Sequence, residues 1–223
     1  MKYISVAVDG PAGAGKSTIT KKVAEQLNFN YVDTGALYRT LTLYFLENNL
    51  KELDEVKIEQ LLANIDFKVF YDNGKQCMYL NGENVLEKIR TSEVSKYTSL
   101  FATSPKVREF LIDTQRNLAL SNNIIMDGRD IASVVLPNAD VKIYLTASVE
   151  ERAKRRYEQF LKQGMLDIDI EKVAEAIKKR DYQDENREIA PLKKVEDAVL
   201  VDTTTMTIEE VVETMTNLIK NVG

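Results

Sequence analysis

The segment Gly10-Pro11-Ala12-Gly13-Ala14-Gly15-Lys16-Ser17-Thr18 constrains this chain more than any other. Its spacing is G-x-x-x-x-G-K-[ST]; it follows the apolar run Ile4 to Val8 and leads into Ile19, Val23 and Leu27, each four residues apart. Gly10, Gly13 and Gly15 let the backbone turn tightly with its N–H groups pointing inward. They would form an anion nest at the positive end of a helix opening near Gly15. Lys16 would extend toward the β and γ phosphates of a bound nucleotide, and the Ser17 hydroxyl is placed to ligand Mg²⁺. Residues Gly10 to Thr18 are therefore expected to bind ATP or a related triphosphate.

Around that segment, short apolar runs alternate with helical stripes, which points to an α/β chain with a parallel sheet. The strand candidates are Ile4 to Val8, Phe29 to Val32, Ile124 to Met126, Val141 to Leu145 and Ala198 to Val201. Helical stripes run through Leu37, Leu41 and Phe45, through Val107, Phe110, Leu111 and Leu118, and from Ile208 to Ile219. Two stretches break the rhythm. From Ile65 to about Leu86 the period becomes two, with turn signals at Asp72-Asn73-Gly74 and Asn81-Gly82, and predicts an antiparallel β-rich insert spanning about residues 64–98. Tyr157 to Asp169 is polar around Gly164 and separates two charged helices, which marks 152–170 as a candidate mobile lid.

Composition removes whole classes of chemistry. With no histidine there is no hydrolase built on a His base and no zinc protease helix, and one cysteine, Cys77, allows no internal disulfide. That cysteine reads as a packing residue in a reducing compartment. The net charge of −5 argues against a surface that coats nucleic acid, and no apolar run reaches the 18 or so residues of a membrane span. With no signal-peptide pattern at the start, a cytoplasmic monomer acting on small molecules is expected.

A triphosphate-binding loop leaves the job open. The strings N-K-x-D and D-x-x-G of guanine-nucleotide switches are absent, and the length suits a small-molecule kinase better than a motor. Arg39 and Arg129 follow strands, where α/β proteins bind ligands, and Arg152, Arg155 and Arg156 recur at spacings of three and four. Arg180 and Arg187 follow. Such a set suits two phosphate-bearing substrates. An acceptor phosphate needs no catalytic base, whereas an alcohol acceptor would need a carboxylate such as Asp33 or Asp127. A non-catalytic ATP-binding module would need none of these arginines. Asp9 and Asp127, at strand ends, stand evenly between helping to hold Mg²⁺ and a structural role. Tyr38 and Tyr44 read as helix packing.

DGPAGAGKST, YVDTGALYR, MDGRDIASVVLPNADVKIYLTAS, EERAKRR, KKRDYQDENREIAPL and DAVLVDTT together resemble the bacterial cytidylate kinase family, in order and over nearly the whole chain. The stretch Ile65 to Leu86 is similar to the β-rich segment that sets this family apart from shorter nucleoside monophosphate kinases. The resemblance implies a five-stranded parallel core in P-loop kinase order with an insert and an arginine-bearing lid. It also implies transfer of phosphoryl from ATP to CMP or dCMP with Mg²⁺. By the same resemblance Thr34, Arg39, Ser99, Arg108, Arg129, Asp130, Asp184 and Arg187 contact the acceptor. Arg39, Arg129 and Arg187 would hold its phosphate, Ser99, Arg108 and Asp130 its base, and Asp184 its ribose, while Arg152, Arg156 and Arg180 would approach the transferring group. The chain departs from the family pattern at Ala132-Ser133, where Gly-Thr is usual, and has Thr at position 34, where Ser is usual.

Overall fold

The computed structural model describes residues 3–72, 75–162, 164–165 and 167–221. Five parallel strands form the central sheet: β1 (Ser5–Asp9), β2 (Asn30–Asp33), β6 (Ile124–Gly128), β7 (Val141–Thr146) and β8 (Val199–Asp202), in the order β2-β6-β1-β7-β8. Each expected strand is present within a residue or two. The central strands β1 and β6 read as continuous apolar runs because both faces are covered, whereas the edge strand β8 leaves Val199 and Leu200 exposed. Ala7, Ile124 and Met126 face one core, closed by α2 (Thr34–Glu47), α4 (Ser92–Phe101) and α5 (Pro105–Ser121). Val6, Val8, Ile125, Ile143 and Leu145 face the other, closed by α1 (Lys16–Leu27) and α8 (Ile208–Lys220).

The insert carries the three-stranded antiparallel sheet β3 (Phe67–Asp72), β4 (Lys75–Leu80) and β5 (Glu83–Asn84). Its strands stop at Asn84. The rest of the expected 64–98 stretch is helical, with a short turn at Lys88–Arg90 followed by α4, whose Thr91 cap accepts a bond from Val94 N. Asn73 and Gly74 of the first turn signal lie outside the described residues, and Asn81 and Gly82 turn with positive φ as the sequence indicates. Ahead of the insert, α3 (Glu55–Leu62) is tied to α5 by Lys106–Glu59 at 2.7 Å and by a Ser104–Glu55 hydrogen bond of 2.9 Å.

A helical hairpin of α6 (Val149–Lys162) and α7 (Ile170–Asn186) has a small core of its own, Ala153, Val173 and Ile177 with Phe160 and Ile168 packed against it. The expected break at Tyr157 is not there. Helix α6 continues because the Arg156 guanidinium lies 4.7 Å from the Phe160 ring centroid and Phe160 itself is needed by the hairpin core.

At the carboxyl edge of the sheet, register decides what meets. Asp9 pairs with Gly128, and Asp33 with Asp127. Gly10 lies against β7 so closely that a Cβ there would stand 1.9 Å from the Leu145 carbonyl oxygen, at a φ of +149°. Gly10→Ala should therefore destabilise the chain by about 3 kcal/mol or more. Chemical denaturation of that variant checks this; a loss under about 1 kcal/mol would mean that β7 yields.

Candidate active site

The phosphate-binding loop is built as its glycines require, with φ of +149° at Gly10, +79° at Gly13 and +89° at Gly15, ending at the first turn of α1. The Lys16 ammonium donates to the carbonyls of Gly10 at 2.7 Å and Pro11 at 2.8 Å. Burial, aided by the nearby Arg129 cation, pulls its pKa well below the ordinary lysine value, while Asp127, Asp9 and Asp184 oppose the shift.

Ser17 and Asp127 meet directly. The Ser17 hydroxyl donates to Asp127 Oδ2 at 2.7 Å, Tyr31 donates to Oδ1 at 2.8 Å, and Thr34 donates to the Asp127 carbonyl at 2.6 Å. Burial and then the adjacent Asp33 raise the Asp127 carboxyl above its ordinary value. Asp9, the other strand-end carboxylate, points elsewhere. Its two oxygens accept from Ile131 N at 2.9 Å and Ala132 N at 2.8 Å, so it holds the turn that presents Arg129 and Asp130. Position 132, where the family's usual Gly is Ala, remains buried within this turn.

The acceptor residues of the sequence reading converge through ion pairs. Asp130 receives both Arg108 and, at 3.2 Å, Arg187. Arg129 Nε donates to Asp184 at 2.7 Å, and Arg39 donates to Asp33 at 3.0 Å. Arg180 feels Arg129, Asp184, Arg156 and Asp181 as its charged neighbours. Tyr38, read from the sequence as packing, also belongs here. Its hydroxyl bonds Arg108, and burial raises it to about 12. Ser99 is exposed on α4 and has no hydrogen bond in this group.

The three hairpin arginines do not share one environment. Arg152 is buried, donating to the carbonyls of Ala147 at 2.9 Å and Ala12 at 3.0 Å and to Asp181 at 2.6 Å. It fastens the hairpin to the phosphate-binding loop rather than lying on an exposed lid face. Arg155 turns to Glu151 and to the Thr203 carbonyl at 2.7 Å, and Arg156 stays exposed. Asp181 carries no signal in the sequence that marks it as a partner.

A parallel sheet whose first strand delivers a phosphate-binding loop beside a cluster of paired arginines defines a phosphotransferase of the P-loop kinase class. The family model described as cytidylate kinase matches residues 6–221. The chain is 48% identical over 222 residues to a cytidylate kinase of Alkaliphilus oremlandii, covering 100% of each chain. It is 49% identical over 218 residues to that of Caldicellulosiruptor bescii, covering 98% of this chain and 96% of the relative. For that of Bacillus subtilis the identity is 47% over 212 residues, covering 95% and 94%. An uncharacterized protein from Eubacterium ventriosum shares the fold, with a TM-score of 0.53 at 14% identity over 99% of each chain. This chain belongs to the cytidylate kinase family. Among the described residues no helix is long and apolar enough to cross a membrane.

Asp9 generates a pH prediction. Burial raises its carboxyl from 3.8 to about 6, against the two backbone N–H bonds that favour the ion. An acid raised on folding costs stability wherever both states are ionised, here above about pH 6, and that cost vanishes below about pH 4. Acidification from pH 7 to pH 4 should shift the unfolding free energy of the wild type, relative to Asp9→Asn, in its favour by about 2 kcal/mol. Urea titrations of both proteins measure this; a pH-independent difference would contradict it.

Proposed function

We propose that this chain moves the γ-phosphoryl group of ATP to CMP or dCMP, releasing ADP and CDP or dCDP, through the residues assembled at the carboxyl edge of its sheet. The observation that carries the assignment of roles is the adjacency of two anion sites. Lys16 of the first lies within the field of Arg129 and Asp184 of the second.

On the donor side the backbone N–H groups of Gly10 to Thr18 receive the phosphates, and Lys16 exchanges its two loop carbonyls for the β and γ oxygens. The hydroxyl of Ser17 and the carboxylate of Asp127 form a hard-oxygen pair that fits Mg²⁺ and would hold it, and the ion would supply charge neutralisation for the triphosphate.

On the acceptor side each arginine uses one edge on a carboxylate and keeps another for the substrate. The buried Nε of Arg39 has no hydrogen-bond partner among the described residues, and its Nη2 is held by Asp33. Arg39, Arg129 and Arg187 grip the acceptor phosphate, Asp184 takes the ribose, and Thr34 lines the turn between them. Arg108 faces N3 and O2 of cytosine, Asp130 faces the N4 amino group, and Ser99 adds a hydroxyl once the base is seated. Arg156 and Arg180 reach the transferring group from the hairpin, while Arg152 holds the hairpin base in place. No catalytic base is required, because an acceptor phosphate is ionised near neutrality. That favours a nucleotide over an alcohol acceptor, since Asp33 and Asp127 are both already engaged. A reducing cytoplasm suits the free thiol of Cys77.

Two measurements test these roles. Lys16→Ala should lower kcat by roughly 10² to 10³, as loss of a preorganised donor does; a variant keeping over half of wild-type kcat would remove the loop from the mechanism. Asp130→Asn can donate to O4 of uracil, so its kcat/KM for CMP should fall while that for UMP holds or rises. An equal fall for both would make Asp130 structural.

A further inference from the structure

We infer that Gln76, in the insert, is a positioning residue that sets the acceptor-phosphate arginine Arg39 by holding the residue that pairs with it. The inference rests on the reading of Arg39 given above and deepens it. Strand β2 is an edge of the central sheet, pairing with β6 alone. A backbone N–H on its free side needs a partner from outside the sheet. At Asp33, the last residue of β2, that partner is the Gln76 side chain of β4, whose Oε1 accepts from Asp33 N at 2.7 Å.

The Gln76 amide is held from its other end as well. Its Nε2 lies 3.3 Å from the sulfur of Met78, two residues along β4 on the same face, and Met78 is fully buried in the main core. Asp33 in turn spends its own side chain in two directions. Oδ1 accepts from Ala36 N at 2.9 Å and so caps α2, and Oδ2 receives Arg39 at 3.0 Å. The pair is folded over Gly35, where a Cβ would stand 2.9 Å from Arg39 Nη1 and 3.2 Å from Asp33 Oδ1. There is thus little room for Arg39 to change orientation unless Asp33 moves. A chain of contacts runs from the insert core through Met78, Gln76 and Asp33 to Arg39, and carries the placement of the insert to the guanidinium that grips the acceptor.

The test is a double-mutant cycle of Gln76→Leu and Arg39→Met, read by steady-state kinetics for CMP and for ATP and by calorimetric CMP binding. Gln76→Leu removes the acceptor and keeps the bulk. It should raise KM and Kd for CMP about fivefold, the worth of one hydrogen bond, with kcat and KM for ATP within twofold. Unchanged ATP kinetics also show that the variant is folded. In the Arg39→Met background the same change should have no further effect on CMP. An unchanged CMP constant in the wild-type background, or an equal fold-change in both backgrounds, would overturn the coupling. If Arg39→Met itself leaves CMP binding unaltered, the assignment of Arg39 to the acceptor phosphate fails, and that result is read independently of Gln76.

Discussion

Four carboxylates hold five arginines at one edge of the sheet, and the arrangement of the whole site follows from that pairing. Asp33 takes Arg39, Asp130 takes Arg108 and Arg187, Asp181 takes Arg152, and Asp184 takes Arg129. Buried and half-buried guanidinium groups this close together would repel one another and lose much hydration unless each met an anion. The partners come from different elements: β2, α2, α5, α6, α7 with its C-cap, and the turn after β6. Each ion pair is therefore also a joint between elements, and the same contacts that make the cluster tolerable fix where the hairpin and the proposed acceptor site stand. An arginine offers five donors in a planar fork, so a carboxylate that takes one edge leaves the other aimed and ready. Donors oriented before the substrate arrives need not be reorganised during phosphoryl transfer.

Much of this was legible in the chain. The central strands could be read because burial on both faces leaves few polar positions to blur them, as at Val6, Ala7 and Val8, and the edge strand β8 because Val199, Leu200 and Val201 are apolar even where exposed. The phosphate-binding loop could be read because its geometry admits few residue types. The period-two insert was visible through Phe67, Val69 and Tyr71, whereas its helical end was not, since Ser92 to Phe101 alternates too irregularly to declare a period. Most of the acceptor residues came from resemblance rather than from spacing, and the ion pairs join all of them except Ser99 and Thr34.

What stayed hidden depends on contacts far apart in sequence. Spacings of three and four among Arg152, Arg155 and Arg156 describe a helix face, but not that the helix base is buried against Ala12 and Asp181. Asp9 and Asp127 both end strands, and only register separates them: Asp127 looks toward Ser17, Asp9 toward the amides of Ile131 and Ala132. Tyr38 does pack on the core as its helical position indicates, yet its hydroxyl sits among Arg108, Asp130 and Arg187. Gln76 is an unremarkable polar residue in a strand until β2 is seen to end beside it.

If the paired arginines are held in readiness for a phosphate attached to cytidine, calorimetric titration of the enzyme with CMP and with cytidine, in the absence of ATP, will separate the two ligands. Three guanidinium groups directed at one phosphate should make CMP bind at least about a hundredfold more tightly than cytidine, since charge-assisted hydrogen bonds contribute about 1.5 to 3 kcal/mol each. Cytidine binding as tightly as CMP would contradict the account, because the arginine cluster would then serve the fold alone.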